Sequence, residues 1–199
     1  MTTAWRFAFI AALALALSAC VSLPHPVGTS TGFKNDPGLE GLWYGKTDKD
    51  GEAAYYHVLL NADNTATVIG VGTHSHDDKG GWGVFTLTTA ALGGNHYINA
   101  REISEGGQPK SDPENPDDWY SGLYRLDGDT LVIYAFDDKK VTAEIKAGRI
   151  AGTISQGRFS DSVTITADAA HVDKWLSSPD AAKLFAPLFT LTRVKEPVR

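Results

Sequence analysis

Sulfur is almost missing from this chain: of 199 residues, one is cysteine and one is methionine. A single cysteine excludes an intramolecular disulfide, a cysteine-rich zinc site and a thiolate-held iron–sulfur centre. Basic residues are also in deficit, with 18 Lys and Arg against 24 Asp and Glu and a net charge of −6. Phosphate backbones are bound by basic footprints, so nucleic acid is excluded as a partner. Long hydrophobic runs are lacking too. Residues 7–17 form an apolar stretch that is too short to cross a bilayer as a helix. There is no internal repeat and no low-complexity tract. The balance of 42% hydrophobic and 21% charged residues is that of one ordinary globular domain. No glycine-rich phosphate loop opens a helix. The nearest approach to a nucleophile elbow, Gly152-Thr153-Ile154-Ser155-Gln156-Gly157, misses the Gly-x-Ser-x-Gly spacing by one residue. Paired carboxylates indicate nothing without a cleft separation. The chain therefore reads as a non-enzyme that needs no cofactor.

What is present begins with an address. Arg6 and the free amine precede the apolar run, and Leu17-Ser18-Ala19-Cys20 follows it. A short apolar core behind a positive start is a secretory signal. The four residues at its end resemble the bacterial lipobox, in which the cysteine is acylated after cleavage. The resemblance implies a signal peptide over 1–19, a lipid anchor on Cys20 and attachment to the membrane through it. Several acyl chains such as palmitate hold a protein firmly where one holds it only transiently. Val21, in the position where an Asp retains lipoproteins at the inner membrane, implies an outer-membrane lipoprotein facing the periplasm. The competing reading is an ordinary signal peptide that leaves a free thiol. Residues 20–37, rich in Ser, Thr, Pro and Gly without an apolar period, read as a lipidated terminus and flexible tether. The folded domain is expected over 38–199.

From Gly41 onward, short segments rich in Val, Ile, Thr, Tyr and Trp alternate with turn signals, the pattern of an antiparallel sheet or barrel. Ala54, Tyr56, Val58 and Leu60 fall on one strand face. Further strands are expected over 65–73, 82–89, 96–103, 119–126, 130–136, 149–155, 163–166 and 189–195. Asp63-Asn64 and Asp127-Gly128-Asp129 supply tight hairpins. Asp137 and Gly148 bracket a helix at 138–147, yet Val141, Ala143 and Ile145 also alternate as a strand would, and both readings stay open. Asp168 caps a helix with Val172, Trp175 and Leu176 along one stripe, and Ser178-Pro179 is expected to start a shorter one. The fold class is mainly β: an antiparallel up-and-down barrel of about eight to ten strands with two or three short helices in the C-terminal half. An open sheet or sandwich is the alternative.

Two segments carry a family resemblance. Gly41-Leu42-Trp43-Tyr44 resembles the Gly-x-Trp start of the lipocalins, and Leu191-Thr192-Arg193 resembles the last-strand position from which that family returns an arginine over the tryptophan. The second lipocalin motif, Thr-Asp-Tyr, is absent, and the expected helices exceed the usual one. The layout is thus similar to a lipocalin-like bacterial lipoprotein. The resemblance implies that Trp43 and Arg193 close one end of the barrel and that a ligand enters at the other.

Aromatic residues on the expected strands suit an apolar ligand. The candidate lining set is Tyr56, Phe85, Tyr97, Tyr124 and Tyr134; the same residues also suit a filled core. His74 and His76 share a strand face beside Asp77 and are the candidate metal ligands, against a solvated hairpin before Lys79. Asp48, Asp50 and Glu52 lack the full spacing of a calcium loop, and the acidic residues 112–118 read as a solvated loop. The expected function is a membrane-anchored protein that binds a small apolar or amphipathic ligand. The alternative is a filled barrel that serves protein partners as a scaffold. Replacing Cys20 with Ser should move the protein from the membrane fraction to the soluble one; retention wholly in membranes would count against the anchor.

Overall fold

Turn chemistry cuts the chain into hairpins. Asn64 lies at φ 64° and Gly128 at φ 56°, left-handed backbone that these residue types accept at low cost, and each joins two antiparallel strands. The computed structural model describes residues 21–46, 53–72, 81–109, 119–155 and 162–195. They hold strands β1 (Val21–Ser22), β2 (Gly41–Lys46), β3 (Ala53–Leu60), β4 (Thr65–Gly72), β5 (Trp82–Leu92), β6 (Asn95–Glu105), β7 (Gln108–Pro109), β8 (Tyr120–Asp127), β9 (Thr130–Phe136), β10 (Gly152–Ser155), β11 (Ser162–Ile165) and β12 (Phe185–Arg193). Two α-helices, α1 (Asp138–Lys146) and α2 (Ala169–Leu176), fall between β9 and β12.

Eight strands close into an antiparallel barrel in the order β2, β3, β4, β5, β6, β8, β9, β12. The ring shuts where β12 returns to β2, with Leu191 opposite Gly45, Thr192 opposite Tyr44 and Arg193 opposite Trp43. Closure pairs every ring strand on both sides and leaves no edge to template aggregation. Two-residue alternation sorts the faces: on β3, Tyr56 and Val58 point inward while Tyr55, His57 and Leu59 are exposed. The one irregularity of β12 falls between Pro187 and Phe189, where proline has no N–H to give to the ladder.

The expected barrel with C-terminal helices is the observed architecture, and the open reading at 138–147 resolves as a helix. The Asp137 side chain accepts from the backbone N–H groups of Lys139 and Lys140 at 3.1 and 3.2 Å, and Gly148 takes the left-handed stop at φ 68°. Val141 and Ile145, four residues apart, both meet the core while Ala143 between them is exposed; a strand would have put all three on one face. Asp168 likewise caps α2 through His171 N–H at 2.9 Å. The third helix differs from expectation: it is a single 3-10 turn, Ala181–Leu184, behind Asp180, which makes no side-chain cap.

These C-terminal elements form a second layer on one side of the barrel. Tyr97, Leu123, Phe136 and Phe185 project outward from the ring and meet Val141, Val163, Ile165, Val172 and Leu176 in a second core. Trp175 stacks on Phe136 with ring centroids 6.2 Å apart and planes 2° from parallel. A small sheet, β1-β11-β10, completes the layer.

The N-terminal segment corrects the tether expectation. Val21 already pairs with Val163 in β11, and Val27 is fully buried. Residues 26–36 run as a strap across β5 and β6, held by side chains where a strand would use a ladder. Asn99 accepts from Val27 N–H at 2.8 Å and donates to Val27 C=O at 2.9 Å. The buried Asp173 carboxylate accepts from Gly28 N–H at 2.8 Å, Ser30 N–H at 3.0 Å and the Ser30 hydroxyl at 2.5 Å. Gly28 sits at φ +95°, and a Cβ there would stand 2.3 Å from that of Ala90, so only glycine brings the strap this close. Side-chain anchoring imposes no apolar period on the strap, which is why its composition looks like linker. Asp173→Ala leaves three donors without their acceptor and should cost about 2–4 kcal/mol in urea unfolding; a loss below about 0.5 kcal/mol would show that the strap is not structural.

Candidate ligand cavity

One end of the barrel is closed by the strap's last residues. Asp36 caps a 3-10 turn, Pro37–Leu39, by accepting from Gly38 N–H at 2.8 Å, and Pro37 supplies a preset φ at the first position. Leu39, 1% exposed, forms the floor beside the fully buried Trp43. The indole Nε1 donates to Leu39 C=O at 2.8 Å. The Arg193 guanidinium stacks over the indole, 4.1 Å from its centroid, and donates to the carbonyls of Glu40 and Gly38. Arg193 thereby ties the floor to the strand that closes the ring. Residues 47–52, 73–80 and 110–118, which follow β2, β4 and β7 in the chain, lie outside the described residues.

Above the floor is a cavity of about 70 Å³ whose wall includes Trp43, Tyr56, Val58, Val68, Leu131 and Ile133. No residue of its lining carries a charge. By volume the space would hold about five waters at roughly 10–15 Å³ each, but an apolar wall offers water few partners, so the space favours hydrocarbon. It is well below the roughly 300–1,000 Å³ of pockets that engulf drug-sized ligands.

The sequence-predicted lining residues divide. Tyr56 lines the cavity, its ring lying across Gly70 of β4, where a Cβ would stand 3.3 Å from it. Phe85 and Tyr124 belong to the same inner core. Tyr97 and Tyr134 do not: both face outward, into or against the second core. Ile98 and Ala100 on β6, and Ile133 on β9, take the inward positions, so their neighbours must point away. Tyr97 is fully buried there, donating to Leu176 C=O at 2.8 Å, and Tyr134 lies beneath the Arg125 guanidinium at 5.4 Å. Aromatic richness missed the aliphatic wall. The signal that finds part of it is the shared face of Tyr56 and Val58.

His74, His76 and Cys20 lie outside the described residues, as do Asp48, Asp50, Glu52 and residues 112–118. Among the described residues no group of three or more His, Cys, Asp or Glu is placed to hold a metal ion. Comparison with known protein families, characterised proteins and solved structures finds no match to this chain. The class rests on the fold itself: a closed eight-stranded antiparallel barrel consistent with a lipocalin-like architecture.

Burial pushes the Tyr56 and Tyr97 phenols up to about 12. It also raises Tyr124, reinforced by the Asp36 carboxylate, which accepts from that hydroxyl at 2.7 Å. Unfolded phenols ionise near about 10, so above that pH unfolding releases protons. The stability these phenols confer is complete below about pH 10 and is lost as pH rises toward about 12. Phenolate absorbance of the folded protein should show a late component from Tyr56, Tyr97 and Tyr124, with Tyr56→Phe removing one late step. A Tyr56→Phe difference spectrum showing that phenol ionising at about pH 10 in the folded protein would contradict this packing.

Proposed function

We propose that this protein is a lipid-anchored, lipocalin-like envelope lipoprotein whose barrel carries a small apolar or amphipathic molecule. The observation that carries the reading is a closed barrel with an uncharged cavity standing on a fixed floor. A void walled by aliphatic and aromatic side chains forfeits dispersion contacts that an apolar guest restores. Its size selects the guest: a short aliphatic chain enters, and a fused ring system does not. The lipocalin resemblance is supported by the stacking of Arg193 on Trp43 at the floor, and the anchor by the lipobox at Cys20. The role is that of a carrier at the periplasmic face of the outer membrane, and no catalytic step is assigned to it.

The small volume favours a second reading, in which the barrel is filled and the protein acts as a scaffold for envelope partners. Methyl-selective NMR of the Cys20→Ser chain titrated with 1-hexanol separates the two. The carrier reading expects saturable shifts at Val58, Val68 and Leu131, weakened at least about tenfold, roughly 1.4 kcal/mol, by the cavity-filling Val68→Phe in a variant that keeps its fold. Absence of saturable shifts at these methyls favours the scaffold.

A further inference from the structure

Apolar side chains collect on the outside of the barrel at the end away from the floor. Strand β4 runs parallel to β2, which starts at the floor, so its last residues reach the opposite end. There Val71, 46% exposed, is the least buried large hydrophobic residue among those described. It pairs with the exposed Tyr55 on one side and with Trp82 on the other. The half-buried Trp82 ring rests on the turn after β6, where a Cβ on Gly107 would stand 3.2 Å from it. Between β5 and β6 the register passes from Phe85 opposite Glu102 to Val84 opposite Ser104, which leaves Ile103 as the extra residue of a β-bulge. Bulges at barrel rims re-aim a side chain, and Ile103 is turned out, 40% exposed. Trp119, half-buried just before β8, continues the rim beneath the Arg101 guanidinium, 5.0 Å from its ring centroid.

The place where the chain enters the fold indicates what covers this rim. Leu23 is buried and forms an antiparallel bridge with Trp119, and Cys20 precedes it by three residues, which span at most about 11 Å. Acyl chains on Cys20 would therefore enter a bilayer beside the rim, at the end of the barrel away from the floor. We infer that the rim of Val71, Trp82, Ile103 and Trp119 docks on the lipid bilayer that receives this anchor. The inference rests on the lipid anchor in the proposed function and specifies the face that the anchored barrel turns to the membrane. Indole rings with one wet edge, beside bare aliphatic side chains, suit the boundary between headgroups and acyl chains. Exposed apolar area gains by leaving water there. The tether supplies a high effective concentration of the rim at the bilayer, so contacts too weak to hold an unlipidated chain suffice to orient a lipidated one.

Tryptophan emission tests this on the lipidated protein, whose cleavage before Cys20 removes Trp5, reconstituted into phosphatidylcholine vesicles with and without bromine on the acyl chains. Bromine quenches indoles that reach the lipid, while Trp43, fully buried, and Trp175, stacked on Phe136, serve as internal controls. Bromine should lower the emission. The loss should vanish in Trp82→Phe with Trp119→Phe and persist in Trp175→Phe. Ile103→Asp, at an exposed position, places a charge in the contact and should reduce the loss at least about twofold in a protein that keeps its fold. Emission indifferent to bromine in the anchored protein overturns the docking and leaves anchor and carrier standing. A loss that survives removal of Trp82 and Trp119 does the same. So does dimerisation abolished by Ile103→Asp without any bromine effect, which would assign the rim to a second copy of the chain. A product without lipid that stays off the vesicles takes anchor and docking down together. Ile103→Asp decides the matter even if the double tryptophan variant does not fold.

Discussion

The seam between β12 and β2 carries the rest of the structure. Pairing Arg193 with Trp43 shuts the ring, and the same pair fixes what lies beneath it: the indole holds Leu39 through its carbonyl, and the guanidinium holds Gly38 and Glu40 through theirs. Three backbone acceptors of a short turn, which has no ladder of its own, are thus satisfied by two side chains from the closing strands. The floor is therefore a product of closure and not an independent plug. A chain that failed to bring its last strand back to its first would lose floor, lumen and ring together.

A second constraint follows from having two cores on one sheet. Strands β6, β8 and β9 are covered on both faces, by the lumen inside and by the helices, the small sheet and the strap outside. The strap links the two: Val27 is seated in the outer core, Asp173 of α2 grips Gly28 and Ser30, and nine residues after Ser30 Leu39 enters the inner core. Because Val21 already belongs to a strand, a lipid on Cys20 would be joined to the folded layer without an intervening linker. The barrel would then ride close to the bilayer, with its orientation set by the strap's attachment.

Legibility in the sequence followed the number of covered faces. Strand β3 has one buried face, and its alternation of Tyr56 and Val58 against Tyr55, His57 and Leu59 reads correctly. The hairpins at Asn64 and Gly128 and the caps at Asp137 and Asp168 are local chemistry, and they too were legible. Tyr97 and Tyr134 were misplaced because a strand covered on both sides is apolar on both sides, and parity cannot then be assigned from the pattern. The strap was hidden for the opposite reason. Its partners, Asn99 and Asp173, are 72 and 145 residues away from the backbone groups they hold, and such long-range side-chain acceptors leave no local signature.

A carrier needs its lumen to be a real, dry space that admits an apolar guest. A crystal of the protein pressurised with xenon examines this without presuming the ligand, since apolar cavities take up that atom and polar or filled ones do not. Ordered xenon is expected within contact distance of Val58, Val68, Leu131 and Ile133, above Leu39. A lumen packed solid by its own side chains, or occupied by hydrogen-bonded water with xenon excluded, would contradict it.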